Sequence, residues 1–135
     1  MSFREKTAWV TLAALLLVSL LYLLLLHRPG GWMLHTVAFC VLVFVAIEFV
    51  AWLVLRMRNP VDARTPKDEL ERLIELKARR IAAWVYVAGS FLAIFLCLHV
   101  AGAGSGTVGM SVLVAFVVAE IVNYAARIAY YRRNA

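Results

Sequence analysis

The chain is poor in charge, has few cysteines, and has no segment that alternates polar with apolar residues. Charged residues make up 16% of its 135 positions and apolar ones 64%. An average soluble domain is about 45–50% apolar and about 25% charged. The shortfall excludes a small soluble fold, which must cover its core with polar surface. A transmembrane β-barrel needs a period of two, and the apolar runs here are apolar on both parities. The first apolar run reads as a retained helix and not as a cleaved signal peptide: it exceeds the usual 7–15 residues, and no small-x-small cleavage site follows it before His27-Arg28-Pro29-Gly30. The glycine-rich stretch from Ala101 to Gly106 lacks the following Lys-Ser/Thr of a phosphate loop. No nucleophile has an evident base. Ser90, Ser105 and Ser111 stand alone, although His99 and Ser105 are near in sequence. No catalytic residue is assigned, and no cofactor is named.

What remains is four long apolar runs, at about 7–26, 32–55, 81–100 and 107–127. Each meets the roughly 20 residues that a spanning helix needs. Backbone polar groups in hydrocarbon must be bonded within their own segment, so the β-branched residues of the second and fourth runs still favour helix. The expected fold is all-α: a polytopic membrane protein whose four transmembrane helices form one antiparallel bundle over 1–135. Thirteen of the fourteen Lys and Arg residues fall before the first span, between the second and third, or at and beyond the end of the fourth; Arg28 is the exception. That asymmetry places both termini and the 56–80 segment in the cytoplasm. The expected location is the inner membrane, crossed several times. Trp9, Trp32, Trp52, Trp84, Tyr130 and Tyr131 fall near the expected interfaces, where amphipathic rings are favoured.

In the cytoplasmic segment, Asn59-Pro60 breaks the second helix, because the residue before proline is pushed away from helix. Thr65-Pro66-Lys67-Asp68 reads as a helix start, with Thr65 capping, Pro66 at the first position and Asp68 completing a capping box. Asp68 with Arg72, and Glu75 with Arg79, are four-residue charge pairs. No breaker follows before Gly89, so one long helix should run from about Pro66 into the third span and reach Val100. It serves either as a solvated lead-in or as a docking surface for a cytoplasmic protein. The net charge of +6 does not point to nucleic acid, because Asp68, Glu69, Glu71 and Glu75 interleave with the bases and would repel phosphate.

Polar groups inside the spans are the site candidates. Glu48 and Glu120 are intramembrane acids, each in the cytoplasmic half of its span, and such groups normally face a partner, water or the bundle interior. Glu120, Asn123, Tyr124 and Arg127 follow i, i+3, i+4, i+7 and form one stripe. Three readings stay open. The stripe is helix glue, with Arg79, Arg80 or Arg127 neutralising an acid. Alternatively Glu48 and Glu120 form the proton- or cation-linked site of a small transporter, or the region holds a small molecule or lipid headgroup. His27, His35 and His99 lie on the outer side. They read as interfacial histidines, as ligands of a divalent metal, or, for His35 and His99, as axial ligands of a haem. Glu48 lies 13 residues from His35, roughly 20 Å along a helix, so acids and histidines cannot share a site. Cys40 and Cys97 could form a disulfide, but packing as small apolar thiols is the plainer expectation.

The run Asp68-Glu69-Leu70-Glu71-Arg72-Leu73-Ile74-Glu75-Leu76-Lys77-Ala78-Arg79-Arg80-Ile81-Ala82, with the opening Phe3-Arg4-Glu5-Lys6-Thr7-Ala8-Trp9, resembles a group of small bacterial four-helix inner-membrane proteins. In that group a "DERD…LIELKA.R.AY" segment leads into the third span. The resemblance covers about a fifth of the chain and departs from the pattern at Ala83-Trp84, where a Tyr is more usual. Members are often encoded beside helix-turn-helix regulators, which implies a regulatory or interaction role; with no catalytic constellation in the sequence, the expected function is non-enzymatic interaction through the 62–80 segment. Besides the lipid bilayer, the expected partners are a cytoplasmic protein and further copies of the chain, the latter through small-residue faces such as Gly89 and Ala93.

Overall fold

The computed structural model of the chain describes residues 3–26, 33–60, 68–99 and 104–133. They form four helices: α1 Phe3–Leu26, α2 Met33–Arg58, α3 Glu69–His99 and α4 Ser105–Arg133. All four are long and apolar enough to cross a membrane. The protein is thus all-α and of multi-pass membrane type. The helices outrun the apolar runs at several ends. α1 starts at Phe3 and α4 continues to Arg133, because a helix does not need to stop where hydrocarbon would.

α3 is the single long helix that the sequence leads one to expect. Its 31 residues extend about 46 Å, against about 30 Å of hydrocarbon. The Thr65-Pro66 cap and most of the connection before it lie outside the described residues. The end of α2 follows the Asn59-Pro60 break. Asn59 N–H donates to the Leu55 carbonyl at 3.0 Å, its Nδ2 donates to the same oxygen at 3.2 Å, and Pro60 then turns the chain.

The chain divides into two compact units, Met1–Pro66 and Lys67–Ala135. In the first, hairpin 1, α1 packs on α2. In the second, hairpin 2, α3 packs on α4. In hairpin 2 the facing pairs Glu75 with Arg127, Tyr86 with Phe116, and Cys97 with Ser111 run in opposite senses, so the helices are antiparallel. Hairpin 1 is antiparallel as well, with Lys6 meeting Asn59 and Thr11 meeting Glu48.

Small side chains fill the seams. Ala8, Thr11, Ala14 and Cys40 are buried in hairpin 1, and Ala78, Ala82, Ala115, Ala119 and Asn123 in hairpin 2. Large apolar side chains point outward instead, Leu24 at 63% exposure, Leu42 at 70% and Phe91 at 71% among them. A soluble protein does not tolerate such a surface. In lipid, hydrophobicity does not drive helix pairing, so contact is made by small residues that let backbones approach. Gly89 lies close against α4: a Cβ there would lie 3.2 Å from the Ala115 Cβ. The Gly89 face, expected to serve self-association, is therefore occupied by α4 of the same chain.

Candidate functional site

Hairpin 2 gathers a connected set of polar side chains. On α4, the i, i+3, i+7 spacing lets Asn123 Nδ2 donate to Glu120 Oε2 at 3.3 Å and Arg127 Nε donate to Asn123 Oδ1, also at 3.3 Å. The Arg127 guanidinium lies 5.1 Å from the Tyr124 ring centre, within cation–π range. From there the chain of contacts crosses to α3. Arg127 Nη2 stands 3.3 Å from Glu75 Oε1, and Arg79 Nη2 is equally far from that oxygen. Two acids, Glu75 and Glu120, and two bases, Arg79 and Arg127, are joined in this way. Asn123 is buried, and Glu75 and Arg127 keep only about a fifth of their side-chain surface.

Most of the expected stripe is thus assembled. Glu120, Asn123, Tyr124, Arg127 and Arg79 all take part, directly or through the ring contact. Arg80 is exposed and enters none of these contacts. The Glu75–Arg79 pair forms, but Asp68 and Arg72 join only through the backbone, Arg72 N–H donating to the Asp68 carbonyl at 3.1 Å. Both of those side chains are exposed, where water competes for each charge. Sequence reasoning missed the role of Glu75 as the partner of Arg127. A signal existed: Glu75 and Arg127 stand equally far in residues from Ala101 in the glycine-rich connection, and a tight turn folds such positions together.

Hairpin 1 holds its acid differently. Thr11 Oγ1, on buried Thr11, donates to Glu48 Oε2 at 3.0 Å. Glu48 Oε1 is buried and has no hydrogen-bond partner. Toward the same end of the hairpin, Lys6 Nζ donates to Asn59 Oδ1 at 3.2 Å, and Arg56 lies over the Trp52 ring at 4.9 Å. The bonds to Glu48 and to Glu120 described above each lie within one hairpin.

The remaining candidates are scattered. His99 is exposed, its ring 4.1 Å from that of Phe95 and its Nδ1 2.8 Å from the Phe95 carbonyl. A carbonyl oxygen only accepts, so Nδ1 carries the hydrogen, and in the neutral ring Nε2 is the acceptor. His35 is exposed, and His27 lies outside the described residues. Among the described residues no cluster of three or more His, Cys, Asp or Glu is placed to hold a metal. Cys40 and Cys97 are free thiols. Cys97 Sγ lies 3.6 Å from Ser111 Oγ, which donates to the Thr107 carbonyl at 2.9 Å. Ser90 Oγ is buried without a partner.

Compared with models of known protein families, with curated proteins and with solved structures, the chain finds no match.

Proposed function

We propose that the chain is an inner-membrane protein with both termini in the cytoplasm, its four spans packed as an antiparallel bundle, and that it acts by binding another protein through 62–80. In this reading it is not an enzyme. Thirteen of fourteen basic residues on one side support the orientation. One observation carries the interaction. Leu70, Leu73 and Leu76 are 51%, 49% and 59% exposed on a stretch of α3 that also exposes Glu69, Arg72, Lys77, Arg79 and Arg80. Those charges favour water over hydrocarbon, so lipid tails would not cover the leucines. Ile74 and Ala78 of the same stretch are buried, so one side of α3 is packed within hairpin 2 and the leucines lie outside that packing. Leucines interleaved with both signs of charge suit a protein surface that offers apolar and charged groups together.

The test is photocrosslinking in living cells, with a photoreactive residue at 70, 73 or 76 and at buried position 74 as control. A discrete protein adduct from the three exposed positions, lost when 66–78 is scrambled, is the expected result. Adducts to lipid alone at all three positions would overturn the reading.

A further inference from the structure

The two hairpins are copies of one sequence pattern. Positions 36–52 of α2 and 107–124 of α4 align when Ala115 is left unpaired, and nine of the seventeen pairs are identical. Both segments read Thr-Val-x-x-Cys/Ser-Val-Leu-Val, then Phe-Val-x-x-Glu-x-Val-x-Trp/Tyr. Valine and leucine coincide readily in apolar helices, but the threonine, glutamate and aromatic positions do not. The preceding helices share Ala-Trp-Val, at 8–10 in α1 and 83–85 in α3. The alignment makes Glu48 and Glu120 equivalent, so each hairpin is a control for the other.

They treat the shared acid in opposite ways. In hairpin 2 Glu120 is bonded by Asn123, which is bonded by Arg127. The aligned positions in hairpin 1 are Ala51 and Leu55, so α2 offers Glu48 neither donor. Two residues past the shared tryptophan, α1 carries Thr11 where α3 carries Tyr86. Thr11 donates to Glu48, whereas Tyr86 packs its ring edge-on against Phe116 at 6.1 Å. One copy has thus given its acid a same-helix amide that is itself bonded by an arginine. The other has kept the acid, given it a single hydroxyl, and left Oε1 buried with no donor.

A carboxylate oxygen buried without a donor or counter-ion is strongly disfavoured. Because Oε1 is buried, neither water nor a metal ion has surface to approach. A proton needs no such room and removes the charge. We propose that Glu48 carries a proton on Oε1 and that the Glu48–Thr11 pair is a membrane-embedded proton-exchange site, with Glu120 its structural counterpart. Exchange is plain acid–base transfer: the O–H bond breaks, the electron pair stays on Oε1, and the proton passes to a water molecule admitted when the hairpin opens. Thr11 donates to Oε2 in both states and holds the carboxyl in place. The charged groups on α1, the helix packed on α2 in this hairpin, are Arg4, Glu5 and Lys6 near its start, and Tyr22 is its other titratable group. Glu48 is hydrogen-bonded to none of them; Lys6 is engaged with Asn59. This proposal is independent of docking through 62–80.

A hydrophobic carbodiimide, which reacts with protonated carboxyls, tests it on the full chain in membranes, with the modified residue read by mass spectrometry. Glu48 should be modified several-fold faster than Glu120, and the rate should fall as pH rises. Thr11→Ser should keep the reaction and Thr11→Val should change its pH profile. In infrared spectra the protonated-carboxyl C=O band should disappear in Glu48→Gln and persist in Glu120→Gln. An unmodified Glu48, equal modification of Glu120, or a carboxyl band that survives Glu48→Gln would each overturn the proposal.

Discussion

Removing the Glu75–Arg127 contact measures how hairpin 2 is held together. The two groups are 3.3 Å apart on different helices. At an effective dielectric near 20, unit charges about 3.3 Å apart attract by about 5 kcal/mol. Desolvating both charges offsets most of that gain. Side-chain exposures of 20% and 18% leave some screening by water. The net coupling should be about 1–2 kcal/mol, above the 0–1 kcal/mol of exposed pairs. Arg79 is a built-in comparison. It reaches the same carboxylate oxygen at the same distance, but its side chain is 66% exposed. Its coupling to Glu75 should be no more than about 0.5 kcal/mol. The assay is a double-mutant cycle of Glu75→Gln with Arg127→Gln, and a second with Arg79→Gln, read by reversible unfolding in mixed detergent micelles. Independent sites add to within about 0.3–0.5 kcal/mol. A Glu75–Arg127 coupling inside that scatter, or an Arg79 coupling as large as that of Arg127, would refute the reasoning.

Further outcomes follow from other contacts. Gly89→Leu should destabilise hairpin 2 by about 1–3 kcal/mol by over-packing, since even a Cβ would stand 3.2 Å from that of Ala115; Ala88→Leu, at the exposed neighbour, should change stability by less than about 0.5 kcal/mol. A Gly89→Leu chain that melts like the parent would sink the close-approach argument. Asn123→Ala removes the bridge between Glu120 and Arg127 and should cost about 1–3 kcal/mol, the usual penalty for stranding buried polar groups; thermal unfolding compared with Asn123→Gln checks it. An alkaline phosphatase fusion should be active after Gly104 and inactive after Arg133, and the reverse pattern would overturn the proposed orientation.

Much of the fold was legible because backbone chemistry in lipid leaves few choices. An apolar run of about 20 residues must be helical to bond its own amides, and Asn59-Pro60 must end α2. The α4 stripe was also legible, since Glu120, Asn123 and Arg127 contact one another along a single helix and helical spacing alone sets that geometry. Contacts between helices were not. In a soluble helix the apolar stripe marks the buried face. α1 and α2 are apolar nearly all round, so the pattern does not say which side meets a neighbour. Small residues were the remaining signal, and Gly89 shows their ambiguity: the same residue suits a second copy or, as found, its own α4.

By itself the sequence determined that the chain makes four spanning-length helices, that α3 runs unbroken from a charged lead-in into an apolar run, and that an acid recurs at matching positions of α2 and α4. These follow from composition, from local breakers and from spacing along one helix. Only the tertiary structure decided the pairing of helices, and with it the different surroundings of the two acids. Glu120 lies in a chain of contacts that reaches Glu75 on α3 through Arg127. Glu48 meets Thr11 on α1 and leaves one oxygen buried and bare. The physical reason is that a hydrogen bond across a seam depends on register and rotation to within an ångström or so, and an apolar sequence specifies neither until small side chains bring two backbones together.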